Sequence, residues 1–309
     1  MWRYVRKRLL LLIPVVLGAI LLIFFILSLC KGDPGSIILG AGASIEDINK
    51  INEELGFNDP FFVRYFNYIW NLLHGDLGNS YQTRVPVLQS LLERAPISLR
   101  TTFMALCTAA FIGVPLGVLT AVKQYSAFDT IPTAIAMIFA AMPIFWLGML
   151  LMYVFALKLG WLPSFGVDTF KGLILPTLAL GLPHAARQMR FTRSSMLEAI
   201  REDYIRTARA KGCKEKAVIW HHALKNALLP VITVIGNSFG AMFGGTVIIE
   251  RLFSIPGIGS FIVDGIGNRD VPVVTGGVIT IALVYSIVTM VVDLLYAYID
   301  PRTKSRFVK

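Results

Sequence analysis

Five stretches of this chain are too long and too free of charge to be placed anywhere but in lipid. Leu9–Cys30, Thr101–Val122 and Val271–Val292 each run 22 residues without a charged side chain, Asn226–Ile249 runs 24 and Thr130–Leu157 runs 28. At ~1.5 Å per residue, 22 residues of helix reach ~33 Å, enough to cross a hydrocarbon core of ~30 Å. Backbone polar groups in that core must be satisfied within the segment, which selects the helix. A sixth stretch, Gly172–Ala186, has only 15 residues and carries Pro176 and Pro183. It reads as a short or broken span, or as a helix buried among the others. The expectation is an all-α membrane protein with six transmembrane helices.

The composition agrees, with 55% hydrophobic and 16% charged residues in 309. A net charge of +10 does not indicate nucleic acid, because the cations sit at the ends of apolar runs, as membrane insertion leaves them. Cys30, Cys107 and Cys213 are scattered and show no ligand or disulfide spacing. Arg3, Arg6, Lys7 and Arg8 before the first run, with Ala41-Gly42-Ala43 after it, imitate a cleaved leader. The run exceeds the ~7–15 apolar residues of such leaders, so it is read as a retained anchor.

Six spans place both termini on one side. With the N-terminus inside, the inner segments carry 19 of the 29 Lys and Arg: four in 1–8, Lys123, ten in 187–225 and four in 302–309. That asymmetry assigns the basic 187–225 segment and both termini to the cytoplasm.

The long 31–100 segment is then external, and part of it is folded. Asp59-Pro60 is a helix start, and Phe61, Phe62, Tyr65, Phe66, Ile69, Trp70 and Leu73 follow at helical spacing. Two readings stand: a platform that receives a partner, or an amphipathic helix on the bilayer surface or capping the bundle.

Two motifs imitate enzymes. Gly236-Asn237-Ser238-Phe239-Gly240 has the form of a nucleophile elbow, but all four histidines (His74, His184, His221, His222) precede it, the reverse of the required order. The same residues form Gly236-x-x-x-Gly240-x-x-x-Gly244, a helix-packing stripe. His221 and His222 are adjacent, so on a helix they diverge by ~100° and cannot chelate one ion. No Walker phosphate loop occurs, so ATP is not held by this chain in that manner. No catalytic residue, metal site or cofactor is assigned. Apart from His184 the spans as drawn carry no acid or base, which disfavours an ion-coupled transporter.

The informative segment is 187–225. Tyr204, Ala208 and Gly212 recur every four residues and are expected on one helical face that narrows to no side chain. Arg206, Arg209 and Lys211 flank it, and Thr207 lies between. Such a face fits a partner's groove; the alternative is a basic loop on anionic lipid.

Tyr204-Ile-Arg-Thr-Ala-Arg-Ala-Lys-Gly212 followed by His222-Ala-Leu-Lys-Asn-Ala-Leu-Leu-Pro230 resembles the coupling loop of ABC-importer permeases of the dipeptide/oligopeptide/nickel class. Arg206-Thr207-Ala208 stands where importers generally carry Glu-Ala-Ala, and Lys225 stands where the first proline would be, as in the peptide branch. The likeness extends through Gly32-Asp33-Pro34, Leu55-Gly56-Phe57-Asn58-Asp59-Pro60, Gly75-Asp76-Leu77-Gly78, Phe253-Ser-Ile-Pro-Gly-Ile-Gly259, Asn268-Arg-Asp270, Val292-Asp-Leu-Leu-Tyr296 and Asp300-Pro-Arg302. It implies a type I importer permease fold with a helical extracytoplasmic segment after the first helix. The divisions expected are 1–94 (first helix and external segment), a permease core at 95–297 with its coupling loop at 187–225, and a cytoplasmic tail at 298–309. The resemblance also implies a second homologous permease subunit, two cytoplasmic ATPases that hold ATP and magnesium, and an extracytoplasmic solute-binding protein.

The solute expected is a short peptide, with chelated nickel or another small solute as the alternative. Nickel-tolerant side chains in the spans are limited to His184, Cys30 and Cys107. Small and soft apolar groups abound, as in Ala140-Ala-Met-Pro-Ile-Phe-Trp146, making Met142, Phe145 and Trp146 candidates for the pathway lining.

Overall fold

The computed structural model describes residues 2–299 except Cys30, Lys31, Ala41 and Asp168. The Ala41 end of the leader-like triplet, the Asp300-Pro-Arg302 signature and the basic tail from 300 onward lie outside the described residues. The described chain is helical: α1 (Trp2–Leu29), α2 (Pro34–Leu39), α3 (Ile45–Glu54), α4 (Phe61–Leu73), α5 (Val87–Val122), α6 (Ala127–Ala141), α7 (Ile144–Leu151, continued as a π-helix over Met152–Lys158), α8 (Phe170–Arg201), α9 (Asp203–Ala210), α10 (Glu215–Ala217, continued as a π-helix over Val218–Ala223), α11 (Leu224–Leu252), α12 (Ile258–Gly267) and α13 (Val271–Ile299). It forms two compact units. One is built on Leu99–Ile255 with the chain's two ends; the other joins Val5–Ser98 to Pro256–Ser286.

Among the described residues, four stretches are long and apolar enough to cross a membrane: Leu10–Leu29, Val87–Val122, Glu215–Leu252 and Val271–Leu294. The 28-residue run expected as one span is broken. α6 and α7 bend by 109° because Pro143 forces Met142 out of the helical region, to ψ 131°. Counted together as one broken span, the pair is the fifth; the same bend also fits a re-entrant loop.

In the first unit the short stretch at 172–186 is part of a helix buried among the others. It belongs to α8, which continues to Arg201 and packs on α6, α7 and α11. The helix starts where Thr169 Oγ1 accepts the Gly172 N–H (3.3 Å). It runs through Pro176, and next to that proline Thr177 Oγ1 donates to the Leu173 and Ile174 carbonyls (2.8 and 3.0 Å). Beyond Ala186 it keeps burying Met189, Thr192, Ser195, Met196 and Ala199 at helical spacing. Residues 187–201 are therefore helix rather than loop.

Helices in lipid gain little from the hydrophobic effect and associate by close packing. Here α5 and α8 meet at backbone distance. A methyl group on Gly117 would lie 2.5 Å from Thr192 Cβ and 2.7 Å from the Met189 carbonyl oxygen; one on Gly113 would lie 2.7 Å from the Ala185 oxygen. From the other side, one on Gly181 would lie 2.9 Å from the Ala105 oxygen. The stripe expected to pack, Gly236-x-x-x-Gly240-x-x-x-Gly244, is used in part. Gly236 abuts Val292, Gly240 is half-buried, and nothing lies within 4 Å of where a Gly244 side chain would begin. Arg193 of α8 clasps Asp129 at the start of α6 in a two-pronged pair (2.7 and 2.8 Å).

In the second unit the short signatures are hydrogen-bonded stitches. Asp33 caps α2, accepting from Ser36 N–H (2.8 Å) and from Asn52 Nδ2 (2.7 Å) on α3; Asn52 Oδ1 in turn accepts the Gly35 N–H (2.9 Å). Gly35 is required because a Cβ there would lie 2.7 Å from the Ile48 carbonyl oxygen. Asp270 accepts from the Ser80 hydroxyl (2.6 Å) and from Val273 N–H (3.3 Å), tying the 78–84 loop to the start of α13. Burial pushes the Asp270 carboxyl upward, against the pull of its Ser80 hydrogen bond. α4 lays Tyr65 on α1, its hydroxyl donating to the Leu17 carbonyl (3.3 Å), and leaves Phe62, Phe66, Trp70 and Leu73 exposed.

Gly117→Ala is expected to cost about 1–3 kcal/mol through overpacking and to lower the thermal midpoint in detergent. Gly244→Ala has free space and a better helix former, and is expected to be neutral or stabilising by up to ~1 kcal/mol. Midpoints in the opposite order would reverse the assignment of the packing glycines.

Candidate functional site: the coupling segment

The sequence between Arg201 and Glu215 makes a separate short helix for local reasons. Glu202 leaves the helical region (ψ 150°) and ends α8. α9 then opens on Asp203 and closes on Arg209, each charge placed to favour the helix dipole. Thr207 Oγ1 donates to the Asp203 carbonyl (3.0 Å).

The helix ends in a Schellman turn. Gly212 N–H donates to the Arg209 carbonyl (2.9 Å) and Cys213 N–H to the Ala208 carbonyl (3.2 Å), with Gly212 at φ +79°. Gly212 thus does not continue the α9 face as its spacing suggested. It lies past the helix end, exposed, and its lack of a side chain serves the left-handed turn. Among the described residues, none lies within 4 Å of a Gly212 side-chain position.

Ala208 also departs from the expected docking face. At 7% exposure it packs inward with Ile205 at 0%. Both join a cluster with Val118 and Ala121 of α5, Met196 and Ala199 of α8, Val218, Ile219 and Ala223 of the π-helical segment, and Ala227 of α11. The narrow apolar side of α9 is therefore its seat on this chain's own helices. The surface it offers outward is Tyr204 (40% exposed), Arg206, Thr207, Arg209, Lys211 and Gly212.

A two-pronged ion pair closes the turn. Arg209 Nε and Nη2 donate to the two Glu215 carboxylate oxygens (3.1 and 2.7 Å). These bonds hold the Glu215 carboxyl below the ordinary glutamate range and raise the Arg209 guanidinium. The Arg206–Asp203 pair, at 3.4 Å, is exposed on both sides and adds little. His221 and His222 fall in the π-helical segment with their rings nearly perpendicular (88°), as adjacency requires.

Met142, Phe145 and Trp146 cluster at the α6–α7 break, Met142 half-buried and the two aromatics exposed at 48% and 43%. Two features escaped sequence reasoning. One is the α5–α8 glycine contact, which Gly113-x-x-x-Gly117 signals by the same rule that singled out 236–244. The other is the Arg209–Glu215 staple, whose six-residue spacing matches no helical pairing and depends on the turn between.

With this geometry in view, residues 113–305 match the family described as the binding-protein-dependent transport system inner membrane component, and residues 1–102 match the N-terminal part of such components. The chain belongs to this family. It is 42% identical to the dipeptide transport system permease protein DppB of Alkalihalophilus pseudofirmus over 98% of this chain and 100% of that protein. It is 40% identical to the glutathione transport system permease protein GsiC of Salmonella typhimurium over 97% and 98%. A crystal form of the MetNI methionine ABC transporter in inward-facing conformations shares the fold, with TM-score 0.60 and 18% identity, covering 69% of this chain and 97% of that one. An amino acid ABC transporter solved with histidines gives 0.53 at 15% identity, covering 70% and 94%. This permease is thus a multi-pass inner membrane component of a transport system and not an enzyme.

The staple gives a test at the loop. In Glu215→Gln, amide exchange across 209–215 is expected to quicken, whereas Arg206→Gln leaves it unchanged. The Glu215 carboxyl is held below its unfolded value, so its contribution is present above the ordinary glutamate range and is lost as pH falls through the folded value. In the unsubstituted permease the same loosening, corrected for intrinsic exchange, is therefore expected only in acid.

Proposed function

We propose that this permease forms half of the membrane pathway of an ATP-driven importer of short peptides. The observation that carries the reading is near full-length similarity to permeases of dipeptide and glutathione systems, both solutes being short peptides. The other half is a second homologous permease subunit. Two cytoplasmic ATPases hold ATP and magnesium, an extracytoplasmic binding protein delivers the solute, and no cofactor is bound by this chain. Both termini are cytoplasmic and α8 counts as the sixth span.

The coupling segment supports a mechanical role. The outward side of α9, from Tyr204 to Arg209 with Lys211 and Gly212 beyond it, meets an ATPase. The inward side, Ile205 and Ala208, is packed against α5, α8 and the start of α11. Packed interiors transmit displacement rather than absorb it. A push on α9 is therefore delivered to three helices at once and biases the bundle between outward- and inward-facing states. Met142, Phe145 and Trp146, at the break in the fifth span, are assigned to the pathway lining.

Two measurements test this reading. After replacement of the native cysteines, a single cysteine at Gln82 is expected to label from outside intact cells, and one at Lys211 only after permeabilisation; external labelling at Lys211 overturns the orientation. For the docking role, Gly212→Asn tolerates the left-handed turn and should retain most peptide uptake. Gly212→Trp adds bulk where a partner must approach. It is expected to lower uptake at least ten-fold with normal membrane levels, and normal uptake by Gly212→Trp overturns docking at this turn.

A further inference from the structure

Within the second unit lies a cleft that none of the foregoing uses. It sits among α3, α4, the 78–84 loop and the start of α13, and its volume is about 360 Å³, the size of a small-molecule site. One wall is a single face of α4: Arg64, Asn67, Tyr68 and Asn71 recur at i, i+3, i+4 and i+7.

Three observations mark it as built to bind. Tyr68 is 8% exposed, its hydroxyl is closed off from solvent, and that hydroxyl has no hydrogen-bond partner among the described residues. A buried hydroxyl left so is costly, and an acceptor from a ligand that opens the cleft wall at Tyr68 relieves it. Burial accordingly pushes its ionisation well above the ordinary tyrosine range, and that of neighbouring Tyr81 to about 12, keeping both as neutral donors.

The second observation is charge of both signs without internal neutralisation. Half-buried Arg64 and exposed Arg84 line the cleft with exposed Glu54 and Asp59 at its rim, and none of the four enters an ion pair among the described residues. Arg64 is fixed in place, its guanidinium 4.6 Å from the Phe57 ring centre and donating to the Phe57 carbonyl (3.3 Å). The third is a set of amide side chains, Asn67, Asn71 and Asn79, each able to donate and accept.

Two cations, two carboxylates and amides between them complement a small molecule with a carboxylate, an ammonium and amide groups. We propose that this cleft binds a short zwitterionic peptide, its carboxylate on Arg64 and Arg84, its ammonium on Glu54 and Asp59, and its amides on Tyr68 and the asparagines. The bipolar recognition stands on the cleft alone; the choice of a peptide among zwitterions rests on the solute proposed above.

The test uses the full chain assembled with its transport partners in nanodiscs, without the solute-binding protein. Binding of tri-alanine, and of tri-alanine N-acetylated and C-amidated, is measured by saturation-transfer NMR. Free tri-alanine is expected to saturate, with the doubly blocked form at least ten-fold weaker. Tyr68→Phe keeps the ring and removes one donor, and is expected to weaken tri-alanine by about five-fold with an unchanged thermal midpoint. Arg84→Gln is expected to weaken it by a similar factor. Absence of binding, equal binding of the blocked peptide, or unchanged affinity in both variants overturns the proposal. Peptide uptake by cells, with the binding protein present, is scored separately. Uptake without cleft binding sinks only the cleft, whereas cleft binding without peptide uptake sinks only the solute assigned to the pathway.

Discussion

The contact between α5 and α8 at backbone distance is the constraint on which the first unit depends. In lipid a leucine gains nothing by leaving acyl chains for another helix. Stability has to come from dispersion between closely apposed surfaces, and that requires the absence of side chains at Gly113, Gly117 and Gly181. Because α8 is held so closely, its short apolar stretch can be buried and the helix runs on through its two prolines. The Arg193–Asp129 clasp then ties the same helix to α6.

From that anchored helix the coupling segment follows. α8 carries its register past the basic residues to Arg201, turns at Glu202, and presents α9 on a platform formed by α5, α8 and the start of α11. Gly212 reverses the chain, and the Arg209–Glu215 pair closes the reversal. Coupling by this element is a matter of seating: the apolar residues grip this chain, which leaves the polar and basic ones for a partner.

The second unit is organised by polar stitches instead. Asp33, Asn52, Ser80 and Asp270 each satisfy backbone or side-chain groups from a distant part of the sequence. Several of the short motifs that carry the family likeness, Gly32-Asp33-Pro34 and Asn268-Arg-Asp270 among them, are these stitches. Their residue types are dictated by caps and close approaches: Asp at an N-cap, Pro after it, Gly where a Cβ would strike a carbonyl.

The all-helical class, the approximate spans and the location of the coupling segment were legible because each rests on short-range rules: charge-free length, basic flanks and i, i+4 spacing. The sequence also carried the break at Met142-Pro143 and the turn at Gly212, since Pro and Gly restrict their own backbones, although the spacing of Tyr204, Ala208 and Gly212 alone pointed to one continuous face. Only the tertiary structure decided which side of α9 faces inward and which glycine stripe packs. It alone decided that residues 187–201 extend a buried helix, and that Arg64, Arg84, Glu54 and Asp59 surround one cleft. These outcomes depend on which surfaces meet across long sequence separations. Periodicity fixes what lies on a helix face, but a face acquires its role only from the neighbour that covers it.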